Sequence, residues 1–190
     1  MITGENGSGK STLLKILAGV LQPQKGKIWL NGKDVKDLPT KERASIMQML
    51  FQDMNPQILS PTIWELSILP SKIVGRISDK SRENKLKEWL EFTELYNRKD
   101  SDPFNLRISE RQFLLLISLL FTAPLLLLLD EPFSRMARRE REIAVLWLNE
   151  FCQEGGALPC GSHGVLPIKS YDVEFRRVDG CLAETEMTKK

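Results

Sequence analysis

Apolar and polar positions alternate with different periods along this chain, and the longest apolar stretch is the most informative. From Phe113 to Leu129 seventeen residues carry no charge, and the run stops abruptly at Asp130-Glu131-Pro132. That length approaches what crosses a bilayer. Pro124 divides it, however, into a helix-length piece and a short leucine run, neither long enough to span. A continuous apolar run such as Leu125–Leu129 predicts a strand buried on both faces. The carboxylates at its carboxyl edge lie where α/β proteins bind ligands. Nearer the start, Leu13, Leu14, Ile16, Leu17 and Val20 form the apolar stripe of a helix that ends around Gly19–Pro23. Between Ser60 and Asp102 the pattern changes: Leu86, Trp89, Leu90, Phe92 and Leu95 recur at near-helical spacing among many charges, predicting amphipathic helices. The late segment YDVEFRRV reads as a strand.

Bulk properties narrow the class. The 190 residues suit one domain, with room for an inserted subdomain. A chain of this size buries roughly 70% of its unfolded surface and needs no disulfide or metal to fold. Lysine and arginine total 27 against 25 acidic residues, a net charge of +2. That balance excludes a dedicated nucleic-acid binder with a strong basic excess. Cys152, Cys160 and Cys181 are odd in number and in no metal-ligand spacing, which points to a reducing setting and small buried thiols. Met1 is followed almost at once by a glycine-rich loop, with no secretory signal, so the expected compartment is cytoplasmic. Arg135–Glu142, dense in arginine and glutamate, reads as a solvated helix face.

The loop itself carries chemistry. GENGSGKST places Gly4, then four intervening residues, then Gly9-Lys10-Ser11. Glycines at this spacing let successive backbone N–H groups turn inward around phosphate oxygens, and the helix that begins near Lys10 adds its positive dipole end. Lys10 is placed to reach β- and γ-phosphates, and the Ser11 hydroxyl to ligate Mg²⁺. Asp130, ending the leucine strand, would hold the Mg²⁺ shell. Glu131 beside it would orient or deprotonate an attacking water. Only Met1, Ile2 and Thr3 precede Gly4, which is short for a strand. The chain is therefore expected to begin inside a core strand.

With these motifs in order, the sequence resembles the ATP-binding subunit of ABC transporters over nearly its whole length. GENGSGKST resembles the Walker A motif, with Gly4, Glu5, Asn6, Gly7, Ser8, Gly9, Lys10, Ser11 and Thr12 as nucleotide-binding residues. LLLLLDEP resembles Walker B, with Glu131 catalytic. MLFQDMNPQILSPTIWEL resembles the Q-loop, GSHG the switch with His163, and GKIWLNGKDV the small β-hairpin. Gln57 and the following SPTIWEL are closest to the ATPases of energy-coupling-factor importers. The resemblance implies catalytic roles for Glu131, His163 and Gln52, and a Mg²⁺ site of Ser11, Gln52 and Asp130. It further implies an α/β P-loop NTPase fold with a mostly parallel sheet flanked by helices. One domain over 1–190 is expected, with a core of 1–58 and 106–190, a helical subdomain of about 59–105, and the N-terminal β-subdomain largely missing. The family's adenine-stacking aromatic would lie upstream of Met1.

One motif departs from the family. ISERQ, Ile108 to Gln112, is the candidate by eye for its Leu-Ser-Gly-Gly-Gln signature. Counting back without gaps from Pro124 and Asp130 selects instead Leu106-Arg107-Ile108-Ser109-Glu110. Neither register keeps a glycine, so backbone approach to a γ-phosphate is obstructed and the motif is degenerate. Ala137 also replaces the aspartate that the family carries three residues after Ser134. In this family the signature serves the nucleotide held by the opposite subunit. The implied assembly is therefore a dimer of ATP-binding subunits, a heterodimer in preference to a homodimer, docked on transmembrane subunits at the cytoplasmic face, with ATP and Mg²⁺ and no nucleic acid. The implied function is ATP hydrolysis that energises solute transport. The alternative is a degenerate or truncated pseudoenzyme that binds ATP and regulates assembly without efficient hydrolysis.

Overall fold

The structure, a computed structural model, describes residues 1–76, 80–163, 173–178 and 181–185. In chain order its elements are β1 (Ile2–Thr3), α1 (Lys10–Leu17), β2 (Trp29–Leu30), β3 (Lys33–Asp34), α2 (Thr40–Ile46), β4 (Met47–Leu50), α3 (Ile63–Ile73), α4 (Lys80–Phe92), α5 (Ile108–Phe121), β5 (Leu126–Asp130), α6 (Arg138–Gln153), β6 (Cys160–Ser162), β7 (Glu174–Val178) and β8 (Cys181–Thr185). Six strands form one sheet in the order β4-β5-β6-β1-β7-β8. All neighbours run parallel except the β7–β8 pair. Parallel strands share one carboxyl edge. The loops leaving β1, β5 and β6 therefore emerge side by side, although they lie far apart in sequence.

The leucine run of β5 is buried on both faces. Leu127, Leu128 and Leu129 are fully inaccessible. Strand alternation sends Leu127 and Leu129 into the cluster built on α3, α5 and α6, while Leu128 packs with Leu14, Ile2 and Met49 on the other side. Helix α5 explains the rest of the uncharged stretch: every residue from Gln112 to Phe121 is buried. A helix apolar all round belongs inside a core. The hydroxyls buried at its far end are satisfied locally, Ser118 donating to the Leu115 carbonyl and Thr122, at the C-cap, to that of Leu119, both at 2.7 Å. At 14 residues it is too short to cross a bilayer, and among the described residues no helix is long and apolar enough to do so.

Local chemistry sets the remaining elements. The β2–β3 hairpin closes on Asn31-Gly32, with φ of 51° and 77°, the left-handed pair a two-residue turn requires. Thr62 caps α3 by accepting the Glu65 N–H at 3.2 Å. On α4, Leu86 and Leu90 are buried as the spacing requires, but Phe92 is 58% exposed, at the helix's last turn. Leu95, beyond the helix, is buried instead, after a turn through Glu94 at φ 62°. Trp89 of α4 stacks on Trp147 of α6 (centroids 5.0 Å), and Trp147 on Phe113 of α5 (5.4 Å). These rings join the intervening helices to the main core, so the segment between β4 and α5 shares one apolar cluster with the sheet.

Two sequence expectations need correction. Helix α1 ends at Leu17, with Gly19 turning the chain at φ 67°, so Val20 lies beyond the stripe and is 55% exposed. Of the three cysteines only Cys160 is buried, its thiol pushed far up by desolvation, while Cys152 and Cys181 are exposed. Both follow from position: Cys152 sits on the outer side of α6 and Cys181 on the antiparallel β8.

Because Leu128 fills the α1 side of the sheet with no exposed atom, Leu128→Ala should leave a cavity there. Urea unfolding should register a loss of about 2–5 kcal/mol, with the denaturant slope unchanged.

Candidate functional site

Three loops at the carboxyl edge of the sheet build the site. The first leaves β1 and runs into α1. Gly7 and Gly9 there have φ of 77° and 90°, and Gly9 is the residue from which α1 starts. Side chains at these angles would be strained, whereas glycine lets the backbone fold around the α1 N-terminus. Lys10, the first residue of α1, is only 4% exposed. Its ammonium donates to the carbonyls of Gly4 (2.7 Å) and Glu5 (3.0 Å), closing the loop on itself. Asn6 and Thr12 are exposed, and the buried Ser8 hydroxyl has no partner among the described residues.

The second loop leaves β5. Asp130 is 1% exposed; its Oδ1 accepts the Ser11 hydroxyl at 3.0 Å, while Oδ2 is buried and unpartnered among the described residues. A buried carboxylate oxygen without a donor beside a serine hydroxyl is the oxygen-rich donor set a hard divalent cation takes. Glu131 follows with φ 52°, a left-handed conformation unusual for a side-chain-bearing residue. Its N–H donates to the Gly161 carbonyl at 2.9 Å. Its own carbonyl accepts from the Ser134 hydroxyl (2.9 Å), the Ser134 N–H (3.2 Å) and the Gln112 amide (3.1 Å).

The third loop leaves β6 and delivers His163. Its Nδ1 stands 3.0 Å from the Lys10 ammonium and its Nε2 3.1 Å from Glu131 Oε1. Nδ1 also lies 3.3 Å from the Gly4 carbonyl, but beside an ammonium, which can only donate, the tautomer that pairs best accepts at Nδ1 and carries its proton on Nε2, facing the carboxylate. Lys10, His163 and Glu131 thus form a chain from a buried cation through an imidazole to a buried acid. Burial pushes the Lys10 ammonium below its ordinary value, against the pull of Glu131 and Asp130. Burial likewise raises the Glu131 carboxyl; His163 and Lys10 oppose this, and Asp130 adds to it.

The structure therefore brings Lys10, Ser11, Asp130, Glu131 and His163 together. It does not bring in Gln52, which is exposed just past β4 and makes no hydrogen bond to that group among the described residues. Gln57 braces that loop: its amide donates to the Met49 carbonyl and accepts the Phe51 N–H, both at 2.9 Å. Leu106 to Glu110 straddle the start of α5, with Arg107 at the N-cap and Ile108 first in the helix, 46% exposed. Glu110 turns back on its own helix, accepting the Arg107 N–H at 2.8 Å and the Arg98 guanidinium at 2.6 Å. Burial pushes its carboxyl up, but these two partners outweigh it and hold the pKa below the ordinary value. Ser109 donates to Glu140 at 3.1 Å, and Glu140 also accepts the Ala137 N–H at 2.6 Å. The part played by Gln112 was not evident from sequence. The signal was a lone amide directly before the uncharged run from Phe113 to Leu129, where a polar group needs buried partners.

Raising the Glu131 pKa means that the native state is penalised for ionising it. That penalty is absent below the ordinary glutamate value and grows as pH rises through the raised one. In the nucleotide-free protein Glu131→Gln should therefore raise the melting temperature at neutral pH. The difference from wild type should close below about pH 4, as thermal melts across pH would record.

Comparison with known proteins agrees with this geometry. The family model described as ABC transporter matches residues 1–134. A putative ABC transporter ATP-binding protein of Archaeoglobus fulgidus is 32% identical over 151 residues, covering 79% of this chain and 63% of its own length. One from Methanosarcina acetivorans is 34% identical over 174 residues, with 83% and 58% covered, and one from Bacillus anthracis 30% over 184 residues, with 95% and 31%. The chain thus spans less than two thirds of these relatives. Among solved structures, an ATP-binding subunit of an ABC transporter superposes with a TM-score of 0.85 at 24% identity, covering 97% of this chain and 78% of that one. A dimeric bacterial ABC transporter cassette gives 0.81 at 25% identity, with 94% and 80% covered. The P-loop NTPase fold, its mostly parallel sheet flanked by helices, is shared with these cassettes. On the family match and the site together, this chain belongs to the ABC transporter family and carries its ATP-binding domain.

Proposed function

We propose that the protein binds ATP with Mg²⁺ and hydrolyses it to energise solute transport, as one of two cassettes docked on transmembrane subunits at the cytoplasmic face. The observation that carries this reading is the convergence of Lys10, Ser11, Asp130, Glu131 and His163 at one sheet edge. The loop Gly4 to Thr12 would wrap the phosphates, with Lys10 exchanging its bonds to the Gly4 and Glu5 carbonyls for phosphate oxygens. Ser11 and Asp130 would hold Mg²⁺, which neutralises charge on the phosphates when bound, and Gln52 would have to move in from its exposed position past β4 to join them. Glu131, with its raised pKa, is suited to take a proton from the attacking water, and His163 links that carboxylate to Lys10. In this scheme residues 1–58 and 106–190 form the catalytic core and about 59–105 the helical subdomain. The sequence likeness of Gln52, Gln57 and SPTIWEL to energy-coupling-factor importers inclines the reading to import over export.

The start of α5 bears on partnership. An ABC signature offers a bare helix N-terminus to the phosphate of the opposite subunit. Here that end carries Ile108 and is already capped by the Glu110 carboxylate, with Glu140 alongside. Two further negative groups repel a phosphate where N–H donors would attract it. We therefore read the signature as degenerate, and the working assembly as a heterodimer whose partner completes the site on this chain.

Mixing the protein with a partner cassette that has an intact signature should yield magnesium-dependent ATP hydrolysis, whereas the chain alone should turn over poorly. Lys10→Ala should abolish nucleotide binding. Glu131→Gln should keep binding but reduce turnover by about 10²–10⁴-fold. Nucleotide titration and phosphate release measure both. Tight binding with no turnover beside a competent partner would sink the hydrolytic reading in favour of a regulatory nucleotide binder.

A further inference from the structure

Gln112 is a buried amide with no place in the chemistry described so far. It is 1% exposed, in the second turn of α5. A side-chain amide is costly in an apolar core unless both ends are paired, and here both are. Nε2 donates to the Glu131 carbonyl and Oε1 accepts the Arg135 N–H, each at 3.1 Å. One side chain therefore brackets both ends of the turn that begins at Glu131.

That turn holds a torsion that would not persist unaided. Glu131 at φ 52° lies in a region most side chains avoid, so its surroundings must impose the conformation. The N–H bond to Gly161 fixes the peptide before its Cα. The peptide after it is oriented through the Glu131 carbonyl. Two of that carbonyl's three donors come from Ser134, inside the turn, and would move with it. The third comes from Gln112, on a different element. Ser109, three residues earlier and so on the same face of α5, reaches the far end of the loop through Glu140, which also binds the Ala137 N–H.

We propose that Gln112 is a positioning residue for Glu131: it anchors the 131–135 turn to α5 and so fixes the direction of the Glu131 carboxylate. The proposal rests on the hydrolytic reading for its effect on turnover, but its structural half does not. Misplacement of a reacting group by about 1 Å can cost about a hundredfold in rate. Loss of the bracket should therefore act on kcat and leave nucleotide affinity alone.

Gln112→Met keeps the volume and the helix preference while removing both hydrogen bonds. Gln112→Asn, one methylene shorter, makes the same comparison if the first variant fails to fold cooperatively. Amide exchange in the nucleotide-free protein should show protection lost not only at Arg135 but also at Glu131, whose N–H bond to Gly161 depends on the turn holding its torsion. With a competent partner cassette, kcat should fall about ten- to a hundredfold and KM change by less than about twofold. The same substitution made on Glu131→Gln should give no further loss, because the group being positioned is gone. Unchanged protection at Glu131, or an equal additional loss of kcat in the Glu131→Gln background, would overturn the proposal. If the wild-type protein hydrolyses nothing beside such a partner, it is the hydrolytic reading that fails, and the exchange measurement still decides whether Gln112 positions Glu131.

Discussion

Everything in the site depends on a strand that is buried on both faces. β5 can be a run of leucines only because α1 covers one side of the sheet and α3, α5 and α6 the other. Such a strand makes sense in a parallel sheet, where every strand ends on the same edge. Asp130 is the first polar residue after that run. Its place at the edge is thus a consequence of hydrophobic burial, as is its neighbourhood to the loops from β1 and β6. The charged groups are therefore held by the apolar core beneath them, which leaves their own contacts free to change when a ligand arrives.

Those contacts form a set whose members compensate one another. The Lys10 cation is buried against two carbonyls and an imidazole, and Glu131 is buried against the other side of the same imidazole. Each shifts in the direction that desolvation dictates, and each is partly restored by the other. Asp130 has one oxygen bonded to Ser11 and the other without a hydrogen-bond partner among the described residues. A phosphate would relieve the lysine and a divalent cation the aspartate.

The start of α5 follows a different logic. Its N-terminal dipole is met by Glu110 and, through Ser109, by Glu140, so the helix end is satisfied within its own chain. Gln112 lies one turn further in, on the same face as Ser109, and holds the turn after Glu131.

The glycine loop, the leucine strand and the Asp-Glu pair were legible in the sequence because their spacing is dictated by local geometry. Glycine is needed where φ is positive, apolar residues where both faces are covered, and a break in polarity where a strand meets solvent. The hairpin within GKIWLNGKDV was expected from the family resemblance alone, and the structure adds the left-handed pair Asn31-Gly32 that closes it. The exposure of Phe92 and Val20 was not legible, because each sits beside a left-handed turn, at Glu94 and at Gly19, that ends the helical stripe sooner than the apolar spacing suggests. Nor were the contacts of Lys10 with His163, 153 residues away, or of Gln112 with Glu131. The sequence alone determined which residues could handle a nucleotide and which elements they end or begin. Only the tertiary structure decided which of them meet, since strand order in a parallel sheet is set by how the helices between strands pack, and no local pattern records it.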